Sequence, residues 1–252
     1  MKLVDEQKLI ATPPLDEEYQ READPWLEVF SIFIHDIESP LASIKYLLRL
    51  LQEGRLDIQK PLHRKLVDSS KVAITRAESI LYDIMAVARA GRAGVPVEIE
   101  TVDLGELISE AIQLVTGSTE ERGIEVNASN KAGRTKVEAD PRLLVRVLDN
   151  LLYNAVRHTP DRGKIDVYTD VGEESVFIHV KDSGPGLGGI DHEQLFEKYG
   201  QIQLRSEGEH RGVGLGLYFC KLAAIGMGGT IMADDHPDGG AVFSVKLKKA
   251  GA

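Results

Sequence analysis

Near the start of the chain the apolar residues Phe30, Ile34, Ile37, Leu41, Ile44, Leu48 and Leu51 fall at alternating steps of four and three. That spacing is a heptad seam and predicts an amphipathic helix. After a break at Gly54, Leu66, Ala73, Ile80 and Val87 recur every seven residues, with Leu62, Ala77 and Ile84 beside them. They predict a second helix and, with the first, a helical hairpin over residues 25–92. One hairpin has too little core to stand alone, so two chains are expected to pair into a four-helix bundle, as a homodimer. The polar stretch 1–24, with Pro13-Pro14 and a run of charges, reads as a leader or the stub of an upstream linker.

Gly91 to Pro96 reads as a hinge, and the pattern changes beyond it. Asp103 with Glu106 has the form of a capping box before Leu107, Ile108, Ala111 and Ile112. Residues 124–128 alternate like a strand. Asp140-Pro141 opens a helix that carries Leu143, Leu144, Val147, Leu148, Leu151 and Leu152. Residues 164–171 and 176–181 alternate as a strand pair, 214–226 reads as a helix, and 230–233 and 241–247 read as closing strands. Strands interleaved with helices over 97–249 predict an α/β sandwich, so the whole chain is α+β.

Composition narrows the classes of function. The formal charge of −10 argues against broad nucleic-acid binding. The single cysteine, Cys220, excludes an internal disulfide framework and a cysteine-based zinc site, and fits a reducing compartment. No apolar run approaches the roughly 18 residues of a membrane span. A cytoplasmic location is expected, with any membrane anchor lying outside this chain.

Candidate chemistry lies in a few segments. His35, in HDIESPL, sits on the flank of the first helix, beside the seam and open to solvent. A phosphoryl acceptor needs such access and a neutral ring nitrogen, and Asp36 is placed to hold the proton on the far nitrogen. Pro40 bends the same helix. In DNLLYNAVRHTP, Asn150, Asn154 and Arg157 share one helical face, a stripe suited to a magnesium ion and phosphates. In DSGPGLGG, Asp182 ends a strand where it can accept from an amino group on a base, and Gly184 and Gly186 let the backbone approach a flat ring. The long segment from Gly188 to Gly212 reads as a lid, anchored by Phe196 and Tyr199. Lys198, Arg205 and Arg211 stay open as its phosphate-reaching cation. GVGLGL brings Gly212, Gly214, Leu215 and Gly216 to a helix start, where backbone amides cradle phosphate. The absence of a Lys-Ser or Lys-Thr pair after these glycines excludes a Walker loop.

In this order, the motifs resemble the sensor histidine kinases of two-component systems, over residues from about 25 to 248. HDIESPL is similar to that family's histidine box and DNLLYNAVRHTP to its asparagine box. DSGPGL, LFEKYGQ and GVGLGL are similar to its first glycine, phenylalanine and second glycine boxes. The resemblance implies a dimerisation hairpin followed by a Bergerat-type (GHKL) ATP-binding α/β sandwich. It implies autophosphorylation of His35 from ATP and passage of the phosphoryl group to an aspartate of a response regulator. Asp36 would be the base, Asn154 the Mg2+ ligand with Asn150 nearby, and Asp182 the reader of the adenine amino group. Gly184, Gly186, Gly212, Gly214 and Gly216 would shape the pocket and lid, and Lys198 and Leu215 are counted among the nucleotide-binding candidates. Ser39 stands where the family usually has Thr or Asn for dephosphorylating the partner, and Glu38 where a basic residue is common. Two rival readings are a degenerate kinase that only binds nucleotide and partner, and a chaperone- or topoisomerase-type ATPase. His35, Asn154 and Asp182 weigh against the first, and the hairpin carrying HDIESPL against the second.

Overall fold

The computed structural model describes residues 37–38, 41–93, 95–129, 135–197 and 215–251. Helix α1 covers residues 41–52, and Gly54, at φ +63, turns the chain away from its end. The turn is held by the Asp57 amide donating to His63 Nδ1 at 2.9 Å and the Gln59 amide to Asp57 Oδ1 at 3.0 Å. Helix α2 then runs Pro61–Ala93. Its first residue is proline, which lacks only an N–H that the helix start does not use.

Among the described hairpin residues the buried apolar ones are Leu50, Ala73 and Ile80. Most of the described heptad seam of α1 is not used inside the hairpin: Leu41, Leu48 and Leu51 are 39, 50 and 60 % exposed. The expected hinge begins later than the glycine at 91 suggested, because α2 continues through Gly91 to Ala93. A mid-helix glycine costs only about 1 kcal/mol, too little to end a long helix by itself. Immediately afterwards Val95 and Val97 pack on the core of that domain.

The α/β domain is two-layered. A short antiparallel pair, β1 (Glu100–Asp103) and β3 (Lys136–Ala139), stands apart from the main sheet. The main sheet has the order β2-β4-β5-β7-β6, from β2 (Glu125–Ser129), β4 (Lys164–Val171), β5 (Ser175–Asp182), β6 (Thr230–Asp235) and β7 (Ala241–Lys248). Only the β2–β4 pair is parallel. Helices α3 (Leu104–Arg122), α4 (Pro141–His158) and α5 (Leu215–Gly226) form the second layer, with α4 between α3 and α5.

Sequence chemistry sets these boundaries. Asp103 caps α3 by accepting the Gly105 amide at 2.8 Å, and Gly123 closes it at φ +63. Asp140 caps α4 through the amides of Arg142 and Leu143. The apolar stripe of α4 (Leu144, Val147, Leu148, Leu151 and Leu152) is buried to 1 % exposure or less. Each such side chain contributes roughly 1.5–3 kcal/mol by leaving water.

The alternation of β5 decides where the site lies. Val176, Ile178 and Val180 face the helices, while Phe177, His179 and Lys181 face away. Asp182 falls in phase with the inward set and is 3 % exposed, so a carboxylate enters the layer that otherwise takes valine and isoleucine.

Candidate nucleotide site

Asp182 is held from two sides. Its Oδ1 accepts the Gly184 amide at 2.7 Å and the Ala241 amide at 3.3 Å. Both bonds fall on one oxygen, which leaves Oδ2 to accept from a ligand. Burial pushes the Asp182 carboxyl above its ordinary value, aided by the nearby charge of Asp235 and opposed by the two amides and by His158.

Above Asp182 opens an apolar cavity. Pro185, Gly186, Leu187 and Ile190 supply one wall, Leu195 and Leu217 another, and Phe243 and Ala241 the base. Asn154 and His158, one turn apart on α4, reach its edge. Phe196, predicted to anchor the lid, is 4 % exposed and meets Phe243 edge-on at 6.4 Å between ring centroids. A flat apolar slot with one buried carboxylate at its floor suits an aromatic base carrying an amino group.

Close backbone approach makes the slot possible. A Cβ on Gly184 would stand 2.6 Å from the His158 carbonyl oxygen, and Gly186 sits at φ +81 against Asp235. Neither position tolerates a side chain without movement.

The carboxyl end of α4 is fixed by Arg122. Its guanidinium donates to the carbonyl of Val156 at 2.5 Å and of Thr159 at 2.6 Å, and to Asp161 at 2.8 Å. These carbonyls are among the last of the helix, which the helix itself leaves without partners. The cation therefore fixes the turn that presents Asn154 and His158.

The anticipated site residues divide into three groups. Asn154, Asp182 and Gly186 line the cavity together, with Gly184 directly behind Asp182. Asn150 lies deeper, 4 % exposed, with its Oδ1 against Gly216, where a Cβ would stand 2.9 Å away. Leu215 is buried in the first turn of α5 rather than in the cavity wall, and Arg157 faces solvent outside it. His35, Asp36, Ser39, Lys198, Gly212 and Gly214 lie outside the described residues, as do Tyr199, Arg205 and Arg211. Ile190, Leu195, Leu217 and Phe243 were missed as cavity walls. Their signal was apolar residues flanking glycine motifs, which in sequence looks like ordinary core.

The Nδ2 of Asn150 is buried and has no hydrogen-bond partner among the described residues. An orphaned buried amide costs about 1–3 kcal/mol. Together with the hard amide oxygen available on Asn154, it fits a site that receives phosphate and a magnesium ion. Among the described residues no cluster of His, Cys, Asp and Glu offers another metal site. No helix there is long and apolar enough to cross a membrane.

Residues 139–251, the segment that builds this cavity, match the family described as histidine kinase-, DNA gyrase B-, and HSP90-like ATPase, and form an ATPase domain of that kind. The chain as a whole is similar to sensor kinases. It is 27 % identical over 222 residues to the adaptive-response sensory kinase SasA of Synechococcus sp. (strain JA-2-3B'a(2-13)), covering 87 % of this chain and 58 % of that one. It is 30 % identical over 215 residues to the sensor protein CutS of Streptomyces coelicolor, covering 84 % and 50 %. The chain thus spans about half the length of the curated relatives it matches. Among solved structures, the catalytic domain of histidine kinase ThkA superposes at a TM-score of 0.53 with 28 % identity, over 60 % of this chain and 96 % of that one. ThkA in complex with the response regulator protein TrrA superposes at 0.58 over 93 % of this chain and 65 % of that one, and at 24 % identity this likeness speaks to the fold alone. On these grounds residues 139–251 belong to that ATPase family, and the chain as a whole is similar to sensor histidine kinases.

Proposed function

We propose that this chain is the catalytic core of an ATP-dependent protein histidine kinase. It phosphorylates His35 and passes the phosphoryl group to an aspartate of a response regulator. The observation that carries the reading is Asp182, a buried carboxylate at the floor of an apolar slot, walled by glycines that admit no side chain.

Asp182 Oδ2 accepts from the adenine amino group, while Leu187, Ile190, Leu217 and Phe243 exclude water from the ring faces. Asn154, with Asn150 behind it, would hold Mg2+ through its amide oxygen, and a phosphate oxygen would give the Asn150 Nδ2 the acceptor it lacks. The bound ion supplies neutralisation of phosphate charge. Lys198 and Arg157 add cations for the phosphates, and Gly212, Gly214 and Gly216 let backbone amides approach them. His35 presents its unprotonated nitrogen to the γ-phosphorus, Asp36 keeps the proton on the other ring nitrogen, and ADP leaves. Ser39 takes the position from which a hydroxyl orients water toward the phosphorylated partner.

The exposed Leu41, Leu48 and Leu51, with Leu62 at 74 % exposure, form an apolar surface that a second copy covers in a four-helix bundle. The partner's receiver domain then docks on the bundle beside His35. Support for that partner is the similarity, at 28 % identity, to the catalytic domain of ThkA, a kinase solved in complex with the response regulator protein TrrA. The site of action is cytoplasmic, where ATP is available.

Incubation with γ-labelled ATP tests the reading. The wild-type chain should acquire acid-labile label, and His35→Gln should acquire none while still binding ADP. Equal labelling of His35→Gln would end the assignment of His35. Binding without labelling of the wild type would leave a nucleotide-binding module instead of a kinase.

A further inference from the structure

The glycine-rich loop over the cavity is tied to the edge of the sheet by a residue that does not itself line the cavity. Asp235 ends β6, and its Oδ1 accepts the Leu187 amide at 2.5 Å. The same oxygen lies 2.5 Å from where a Cβ on Gly186 would stand. Its neighbour Asp234 meets the far part of the same segment, with Oδ1 3.4 Å from His192 Nδ1.

Gly186 and Leu187 both line the base cavity, and Gly186, Gly188 and Gly189 all have positive φ. Glycines in such conformations give the segment little stiffness of its own. An exposed aspartate at a strand end is ordinarily just a solvated charge. Here its oxygen occupies the space that the missing Gly186 side chain leaves, and it bonds the next amide. An ionised acceptor makes a shorter and stronger bond to an amide than a hydroxyl does.

We propose that Asp235 is a positioning residue for the nucleotide base: by holding the Gly186–Leu187 peptide it sets the Leu187 wall at a fixed distance from Asp182. This deepens the nucleotide-site reading and rests on it. A second consequence follows from charge. Asp235 on β6 and His158 on α4 are the charged or titratable groups that act on Asp182, in opposite directions. Asp235 thus makes the Asp182 carboxylate harder to keep ionised, and neutralising Asp235 extends its ionised range to lower pH.

The test compares the full chain with Asp235→Ala and Asp235→Asn, by calorimetric titration with ADP and by steady-state autophosphorylation. Asp235→Ala should raise the ADP Kd and the ATP KM by roughly five- to tenfold, with the loss falling on KM rather than kcat. Asp235→Asn keeps an oxygen for the Leu187 amide, so it should recover most of the affinity and move the acid limb of ADP binding to lower pH. Amide hydrogen exchange at Leu187 should quicken in the alanine variant and not in the asparagine variant. The proposal is overturned by an alanine variant that binds ADP like the wild type, by an asparagine variant as weak as alanine, or by unchanged Leu187 protection in both. A wild-type chain that binds no ADP overturns this proposal and the nucleotide reading together, whereas failure confined to the variants overturns this proposal alone.

Discussion

Gly240 and Asp182 meet backbone to backbone: a methyl group on Gly240 would collide with the Asp182 carbonyl oxygen. Gly240 also sits at φ +83, a conformation that side-chain-bearing residues rarely adopt. The floor of the base cavity therefore depends on β7 arriving with no side chain at this point. Gly240→Ala should cost about 1–3 kcal/mol of stability. It should also weaken ADP binding, because the Ala241 amide that follows is one of the two holding Asp182. Thermal denaturation and ADP titration of the variant check both effects.

Asp182→Asn should trade function for stability. The two amides occupy one oxygen of Asp182, so in the variant the remaining atom facing the ligand is an NH2 group, a donor set against the donor of adenine. ADP affinity should fall roughly tenfold or more. The unliganded fold should melt higher at neutral pH, because the buried charge is gone. The sign is fixed by the raised carboxyl of Asp182. Such a group favours the fold fully at pH below its unfolded value, and that contribution is lost as pH rises through the folded one. The advantage of the variant in Tm should therefore vanish in acid, while wild-type ADP binding should weaken as pH falls through the same range.

Arg122→Ala should release the end of α4. Its guanidinium is the donor to Val156 and Thr159. Removing it leaves those helix-end carbonyls short of a partner, at a cost of about 1–3 kcal/mol in denaturant unfolding. Arg122→Lys should recover only part of this, because a single ammonium does not reproduce the fork.

Leu48→Glu combined with Leu51→Glu should leave the ATPase domain folded and convert a dimer to a monomer in sedimentation. Both side chains are at least half exposed on α1, so the substitutions disturb little within one chain. A dimer that survives them would place the interface elsewhere.

Much of this was legible in the sequence because the local signals were chemical as well as periodic. Asp140-Pro141 marks the start of α4 within a residue, since a cap followed by proline has few other uses. The inward direction of Asp182 was also available, from two-residue counting back through Val180 and Ile178. The strands β1 and β3 escaped notice, because four residues are too few to establish alternation. The continuation of α2 through Gly91 escaped as well, because glycine is a common helix end and yet costs a helix interior only about 1 kcal/mol. Asn150 shows the reverse: spacing put it on one face with Asn154 and Arg157, but its depth came from the packing of α5 onto α4, which no spacing reveals.

Asp140 does more than begin a helix. Its Oδ1 caps α4, while its Oδ2 takes the amide of Glu98 at 3.0 Å, and Arg142 reaches Glu98 at 2.8 Å. Burial acts to raise this carboxyl, but the amides of Glu98, Leu143 and Arg142, with the Arg142 guanidinium, outweigh it and hold it below the usual carboxylate range. The strand of chain leaving α2 is thus pinned at Glu98 to the root of the very helix that carries Asn154. A twist delivered along α2 would enter that helix as torque at its root, bypassing the sheet, so the hairpin and the helix carrying Asn154 share one joint.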